Sequence, residues 1–202
     1  MNKKMAYFPF FADIKNKKFL VVGGGKTALR KIKTLVGFGC ECIVIAPQIN
    51  EEIYSLASFA ENRNFEEKDL ENIDFAVAAT DDKMLNKKIA CLCRNKKIPV
   101  NSVTDLNDCD FVFPAVYRNK DVVVGISTGG KSPFAAAKIR RNIEKALPKN
   151  IGNITEYLGE IRDFLKCNVP KEERKKVLEE LWQVLQDEDS KKADRVLERY
   201  KV

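Results

Sequence analysis

The stretch Phe19-Leu20-Val21-Val22-Gly23-Gly24-Gly25-Lys26-Thr27-Ala28-Leu29-Arg30-Lys31 constrains this chain more than any other. Its apolar start predicts a buried strand and its glycines a tight turn. Leu29, Ile32, Leu35 and Val36 then recur at the helical period. Gly23-x-Gly25-x-x-Ala28 has the spacing of the dinucleotide-binding fingerprint. The first glycine makes the turn, the second lets backbone approach a pyrophosphate, and a small third residue lets the helix pack closely on the strand. Phosphate oxygens then meet unpaired N–H groups at the positive end of the helix. A purely structural glycine turn explains the glycines, but not the strand before them and the helix after. Gly25-Lys26-Thr27 imitates the end of a Walker A loop. The position where that loop needs its first glycine is Leu20, so ATP hydrolysis is not predicted.

Strand and helix signals alternate through the first half. A strand at residues 18–22 precedes a helix at about 27–38 and a strand at 41–46 that Pro47 stops. Asn50 is placed to cap a helix running through Ala60. Residues 65–68 read as a short strand and 73–79 as a second buried run. Asp82 caps a helix to Arg94, and 99–103 form a further strand. This alternation predicts the α/β class: a Rossmann-type, doubly wound parallel sheet with right-handed crossovers. Ligands of such sheets bind beyond the carboxyl ends of the strands. Those ends are residues 23–27, 46–48, 79–82 and 101–105.

Later the texture changes. Residues 111–114 and 122–127 are β-rich and flank the turn-like Arg118-Asn119-Lys120-Asp121, which predicts an antiparallel pair. Ser132 caps, and Pro133 opens, a helix to about Leu147 that Pro148 ends. From Ile151 the pattern is helical, broken at Pro170 and around residues 187–190, with Trp182 read as core packing in preference to a lid over a ligand.

Composition narrows the chemistry. The chain has 202 residues and a net charge of +7, which favours an anionic partner. Nucleic acid is set aside, because no basic stripe with interleaved aromatics appears. Histidine is absent, which removes His triads, His-ligated zinc and imidazole bases. Cys40, Cys42, Cys91, Cys93, Cys109 and Cys167 form no C-x-x-C pair. They read as reduced, partly buried thiols rather than metal ligands. Residues 5–12 faintly imitate a signal peptide, but they contain Pro9 and run into Asp13 and lysines. No run is long enough to span a bilayer, and a cytoplasmic location without membrane attachment is expected.

Five motifs in fixed order resemble the precorrin-2 dehydrogenase / sirohydrochlorin ferrochelatase family, which includes the N-terminal module of siroheme synthases. Tyr7-Phe8-Pro9-Phe10-Phe11 resembles its entry into the first strand, and Gly23-Gly24-Gly25-x-x-Ala28-x-Arg30-Lys31 its nucleotide loop. Ala78-Ala79-Thr80-Asp81-Asp82 with Asn86 resembles its fourth-strand signature. Asn101-x-Val103 followed by Phe111-x-Phe113-Pro114-Ala115 resembles its hinge. Ser127-Thr128-Gly129-Gly130-x-Ser132-Pro133 resembles its second glycine loop. The resemblance covers roughly residues 5–170.

It implies oxidation of precorrin-2 to sirohydrochlorin, with NAD as hydride acceptor, on the way to siroheme or cobalamin. The implied domains are an NAD-binding Rossmann domain at 1–113, a small α+β dimerisation domain at 114–149 and a helical domain at 150–202, assembled as a homodimer. Gly23, Gly25, Lys26, Thr27, Pro47, Gln48, Thr80 and Asp81 would then hold the cofactor. Asn101, Ser127, Thr128 and Gly129 would face the substrate, an anionic tetrapyrrole suited to a basic chain. The general Rossmann rule expects an acid after the second strand to hold the ribose. Here Ile45-Ala46-Pro47-Gln48 has none, so NAD rather than NADP follows from the resemblance alone.

One departure bears on mechanism. Bifunctional members carry Asn-x-Val-Asp, where the Asp serves both dehydrogenation and metal insertion; here Thr104 stands at that place and Asp105 is displaced by one. One step along an extended segment reverses a side chain's face. Thr104 and Asp105 are the candidate catalytic residues, no metal site is assigned, and a dehydrogenase without chelatase activity is expected. One rival reading is a non-catalytic NAD-sensing regulatory module, which leaves residues 127–133 and the Asn101 region without a purpose. The other is a different NAD oxidoreductase acting on a small acid, which would normally show a His or Lys proton relay.

Overall fold

The computed structural model describes residues 7–187 and 190–200. Met5 and Ala6 of the apolar entry, and residues 188–189 of the last break, lie outside the described residues. Residues 8–113 form one compact unit, and the chain from Pro114 onward belongs to another.

The first unit is a five-stranded parallel sheet in the order β3-β2-β1-β4-β5. Its strands are β1 (Lys18–Val22), β2 (Glu41–Ala46), β3 (Phe59–Asn62), β4 (Phe75–Ala78) and β5 (Val100–Ser102). Three helices connect them: α1 (Lys26–Gly37), α2 (Glu51–Tyr54) and α3 (Lys83–Asn95). Side chains alternate across a strand, and β1 shows how this builds two cores. Phe19 and Val21 pack with Ala28, Ile32, Leu35 and Ile53 from α1 and α2. Leu20 and Val22 pack on the other face with Ile89, Ala90 and Cys93 from α3. Each fully buried aliphatic side chain contributes about 2 kcal/mol. The sheet is therefore covered on both faces, as a parallel sheet requires.

Both edges of the sheet are short. On the outer edge of β5 the next segment folds back. Val100 N–H donates to Asp110 Oδ2 at 3.1 Å, and Asp110 N–H donates to the Val100 carbonyl at 2.8 Å. Ser102 N–H donates to Cys109 Sγ at 3.2 Å, and that thiol donates to the Ser102 carbonyl at 3.1 Å.

Three local expectations are corrected. Asn50 does cap a helix, accepting from Glu52 N–H, but α2 is a single turn. Residues 59–62 instead pair with β2, where Ile43 to Ala46 offer a free edge. Residues 65–68 are not a strand. Arg63 clamps both carboxylate oxygens of Asp69 at 2.8 and 2.6 Å, and Glu66 and Asp69 cap a 3-10 turn, Glu67–Leu70. Nor are residues 111–113 a strand. Phe111 meets Phe75 edge-on at 5.8 Å and Phe113 at 5.7 Å, and Phe75 stacks on Phe19 at 4.7 Å. Aromatic burial takes that run out of β pairing.

In the second unit, β6 (Ala115–Asn119) and β7 (Val122–Ile126) form an antiparallel hairpin on which α4 (Pro133–Ala146) packs. Ser132 accepts from Ala135 N–H and Pro133 stands in the first turn, as the sequence indicates. α5 (Ile151–Glu160) approaches the hairpin turn closely, since a Cβ on Gly152 would lie 2.4 Å from Asn119 Oδ1. α6 (Arg162–Asn168), α7 (Arg174–Gln186) and α8 (Ser190–Glu198) enclose a core of Leu165, Val177, Leu181 and Val196, with Trp182 packed against it. No described helix is long and apolar enough to cross a membrane.

Candidate functional site: a glycine loop at the sheet's switch point

The strand order reverses between β1 and β4, and a parallel sheet binds ligands beyond the strand ends at such a point. The three glycines occupy it with three different constraints. Gly23 has φ +123°, and a Cβ there would lie 2.3 Å from the Ala79 carbonyl oxygen. A Cβ on Gly24 would lie 2.1 Å from the Gln48 carbonyl oxygen. A Cβ on Gly25 would meet nothing within 4 Å. The first two glycines are wedged against the ends of β4 and β2, while the third faces open space.

Hydrogen bonds fix the loop further. Gly23 N–H donates to the Ile45 carbonyl at 3.0 Å, and Asn50 N–H donates to the Gly24 carbonyl at 2.9 Å. Gly25 is the N-cap of α1, with no side-chain cap and no acidic residue in the first turn. The positive end of α1 is therefore left to an external anion. Lys26 and Thr27 are exposed at that end, and Pro47 and Gln48 are exposed beside it at the end of β2. A dinucleotide diphosphate fits this cradle, because the loop is open only where a ligand must approach. Lys26 also heads a groove of about 480 Å3 along α1 that Arg30 and Lys33 line with positive charge.

At the end of β4, Thr80 is held by Asn86 on α3. Thr80 N–H and its hydroxyl both lie on Asn86 Oδ1, at 3.1 and 2.7 Å, and Asn86 Nδ2 donates to the Thr80 carbonyl at 2.9 Å. Asn86 is wholly buried, so its amide serves only to fix Thr80. Asp81 is exposed beside it.

At the end of β5, Asn101 is 4% exposed and both ends of its amide are engaged. It accepts from Lys31 Nζ at 2.8 Å and donates to the Phe111 carbonyl at 2.9 Å. Thr104 stands 3.1 Å, hydroxyl to hydroxyl, from the buried Ser102. Asp105 is exposed and has a different partner: its Oδ1 accepts from Asn107 N–H at 2.8 Å and Asn107 Nδ2 at 3.0 Å, capping the 3-10 turn Leu106–Asp108.

Lys31 carries a partly buried charge. Its ammonium sits 3.8 Å from the centroid of the Phe113 ring. Burial, aided by the Arg30 charge and opposed by Cys109, brings its pKa from 10.5 to about 8. The unfolded chain then binds more protons than the folded one between about pH 8 and 10.5. The charged form therefore weakens the fold by roughly 3 kcal/mol below that window, and the penalty is relieved as pH rises through it. By contrast, burial pushes the thiols of Cys40, Cys42 and Cys93 up to about 11, 12 and 11, which leaves them protonated and inert.

In the second unit, Ser127, Thr128 and Gly129 lie in the loop between β7 and α4. Thr128 closes it, its hydroxyl donating to the Ser132 carbonyl at 3.0 Å and accepting from Ser132 N–H at 3.2 Å. Ser127 is exposed and accepts from Gly129 N–H. Among the described residues no three His, Cys, Asp or Glu side chains converge as a metal site would require.

Sequence reasoning gave no site role to Gly24, Asn86, Ser102 or Lys31. Gly24 falls on a free position of the fingerprint, and only the nearness of the Gln48 carbonyl constrains it. Asn86 was singled out only as part of the fourth-strand signature, and its place on the buried face of α3 is what gives it a role.

Comparison with known proteins agrees with this geometry. Residues 10–115 match the family described as "Putative NAD(P)-binding", and residues 124–146 match "Sirohaem biosynthesis protein central". A siroheme synthase of Psychrobacter sp. (strain PRwf-1) is 35% identical over 170 residues, which are 82% of this chain and 35% of that protein. One from Neisseria meningitidis serogroup C (strain 053442) is 34% identical over 171 residues, again 82% of this chain and 35% of that protein. The chain thus spans about a third of the length of the curated relatives it matches. Among solved structures, SirC, a precorrin-2 dehydrogenase, superposes with a TM-score of 0.74 at 26% identity, covering 96% of this chain and 100% of SirC. Glycine loop and sheet order point the same way, and the chain belongs to the family described as putative NAD(P)-binding, with a sirohaem biosynthesis match in its second unit.

Proposed function

We propose that this chain oxidises precorrin-2 to sirohydrochlorin with NAD. The observation that carries the reading is the glycine loop, closed on two sides by backbone and open at Gly25, in a chain that covers the whole of a precorrin-2 dehydrogenase. NAD, when bound, supplies the hydride acceptor. Gly23, Gly25, Lys26 and Thr27 would hold its diphosphate, Pro47 and Gln48 its adenosine side, and Thr80 and Asp81 the opposite side of the switch point.

In the first unit the substrate side is assigned to the end of β5; Ser127, Thr128 and Gly129 of the second glycine loop are assigned to the substrate by family resemblance alone. Oxidation removes one hydrogen with its electron pair and a second as a proton. Holding the reacting carbon in line is the larger part of that task. Asp105 is the carboxylate proposed to take the proton, both of its bonds to Asn107 falling on Oδ1. Thr104, tied to Ser102, offers a neutral hydroxyl that orients without acting as a base. Asn101, engaged at both ends, supports the strand rather than the tetrapyrrole.

Metal insertion needs a group to take protons from pyrrole nitrogens, and Thr104 cannot be that group. The protein is expected to reduce NAD in the presence of precorrin-2 and to insert ferrous or cobaltous ion into sirohydrochlorin no faster than background. Absorbance of NADH and of the metallated tetrapyrrole checks both. Insertion by the unmodified protein that is lost in Asp105→Ala would overturn the separation of activities. NAD binding without turnover would favour the sensing module.

The second unit supports a homodimer reading. Phe134, 76% exposed, and Ile139 stand on α4 beside a half-buried hairpin, a combination too apolar to face water alone. Light scattering at micromolar concentration should report a dimer, and a monomer there contradicts the assignment.

A further inference from the structure

The proposed chemistry leaves one built feature unused, the ammonium of Lys31. We infer that Lys31 is a positioning residue: held between the Asn101 amide oxygen and the Phe113 ring, it fixes the end of β5 on which Thr104 and Asp105 stand. The inference rests on the dehydrogenase reading for what that strand end does, though not for how it is held.

The contacts form a continuous chain. Lys31 Nζ donates to Asn101 Oδ1 at 2.8 Å. The other end of that amide reaches the Phe111 carbonyl at 2.9 Å and Cys109 Sγ at 3.5 Å. Cys109 in turn bonds both backbone groups of Ser102 and donates to the Asp105 carbonyl at 3.4 Å. The segment from Val100 to Phe113 is thus folded around Asn101, and Lys31 ties it to α1. That helix begins at Gly25, so one side chain links the cofactor loop to the substrate-side strand.

The partners of Lys31 argue against an ordinary structural ion pair. They are an amide and a ring face, and the charges that act on it are Arg30 from its own helix and Cys109 from the segment after β5. A cation placed where its charge weakens the fold is poorly explained by stability. A neutral side chain of the same length would lose both directed contacts.

Lys31→Met and Lys31→Arg test this, read by NAD affinity, kcat with precorrin-2, and the iodoacetamide alkylation rate of Cys109 resolved by peptide mass spectrometry. Lys31→Met should bind NAD within about twofold of the parent, because the glycine loop is untouched. Its kcat should fall about tenfold, the effect of a slightly misplaced reacting group. Its Cys109 should alkylate about tenfold faster as the segment loosens. Lys31→Arg should recover most of both losses. Unchanged kcat and unchanged Cys109 reactivity in Lys31→Met overturn the inference, and so does a loss that Arg does not restore. If the parent protein binds NAD but leaves precorrin-2 unchanged, the dehydrogenase reading alone fails, and the Cys109 rates still decide the part of Lys31. If Lys31→Met does not fold, Phe113→Leu removes only the ring; faster alkylation supports the clamp, and an unchanged rate overturns it.

Discussion

Gly25→Asp should leave this protein folded and unable to hold NAD. The position has φ −83°, open to any residue, and a Cβ there meets nothing within 4 Å. It is also the N-cap of a helix that lacks a side-chain cap, where Asp is among the preferred residues. The new carboxylate should accept from the first-turn N–H groups and raise helix stability by about 1 kcal/mol. Those same N–H groups are the proposed phosphate donors. A fixed negative charge in their midst competes with the diphosphate and repels it, and affinity should fall about a hundredfold or more, roughly 3 kcal/mol. Calorimetric titration with NAD and a thermal melt of the same sample read the two effects independently. A folded variant with undiminished NAD affinity removes this loop from the cofactor site.

Gly23→Ala, two residues earlier in the same loop, should behave in the opposite manner. The backbone there has φ +123°, and the added Cβ would fall 2.3 Å from the Ala79 carbonyl oxygen. The atoms it would meet, in Ala79 and Thr80, are all backbone and cannot swing away. The conformational strain is about 1–3 kcal/mol, and forcing β1 from β4 adds a similar amount. The melting temperature of the nucleotide-binding unit should drop by ~10 °C or more, and NAD binding should weaken because the loop can no longer close on β4. A Gly23→Ala protein as stable as the parent would show that this turn relaxes easily, contrary to its packing.

Signals written in local sequence were the legible ones. The strand–glycine–helix unit, the bounds of β2, the Asp82 cap and the Ser132–Pro133 helix start could all be read, because each rests on residues within one turn of one another. β3 could not. Phe59 to Asn62 are mostly exposed and lack apolar alternation, and they become a strand only because β2 presents an unpaired edge. The run at residues 111–113 has strand composition, but Phe19 and Phe75, far away in sequence, recruit its rings. Within the site, Gly23 and Gly25 were readable from spacing. Gly24 depends on the Gln48 carbonyl and Lys31 on Asn101, contacts that only the folded chain creates. The single-residue offset at Thr104 was legible, and the two side chains do turn to different partners, Ser102 and Asn107.

The folded-back segment after β5 has a consequence for how this protein behaves in a crowded solution. A parallel sheet that stops at its fifth strand ordinarily leaves a row of empty donors and acceptors along its last edge, and such a row recruits strands from other molecules. Here the outward groups of Val100 and Ser102 are already matched by a carboxylate, a backbone amide and a thiol. The sulfur of Cys109 does the work of an absent sixth strand, giving and receiving one hydrogen bond at the same residue. An incoming chain finds no vacancy until that segment peels away, so the sheet end is guarded by a latch instead of by surface charge.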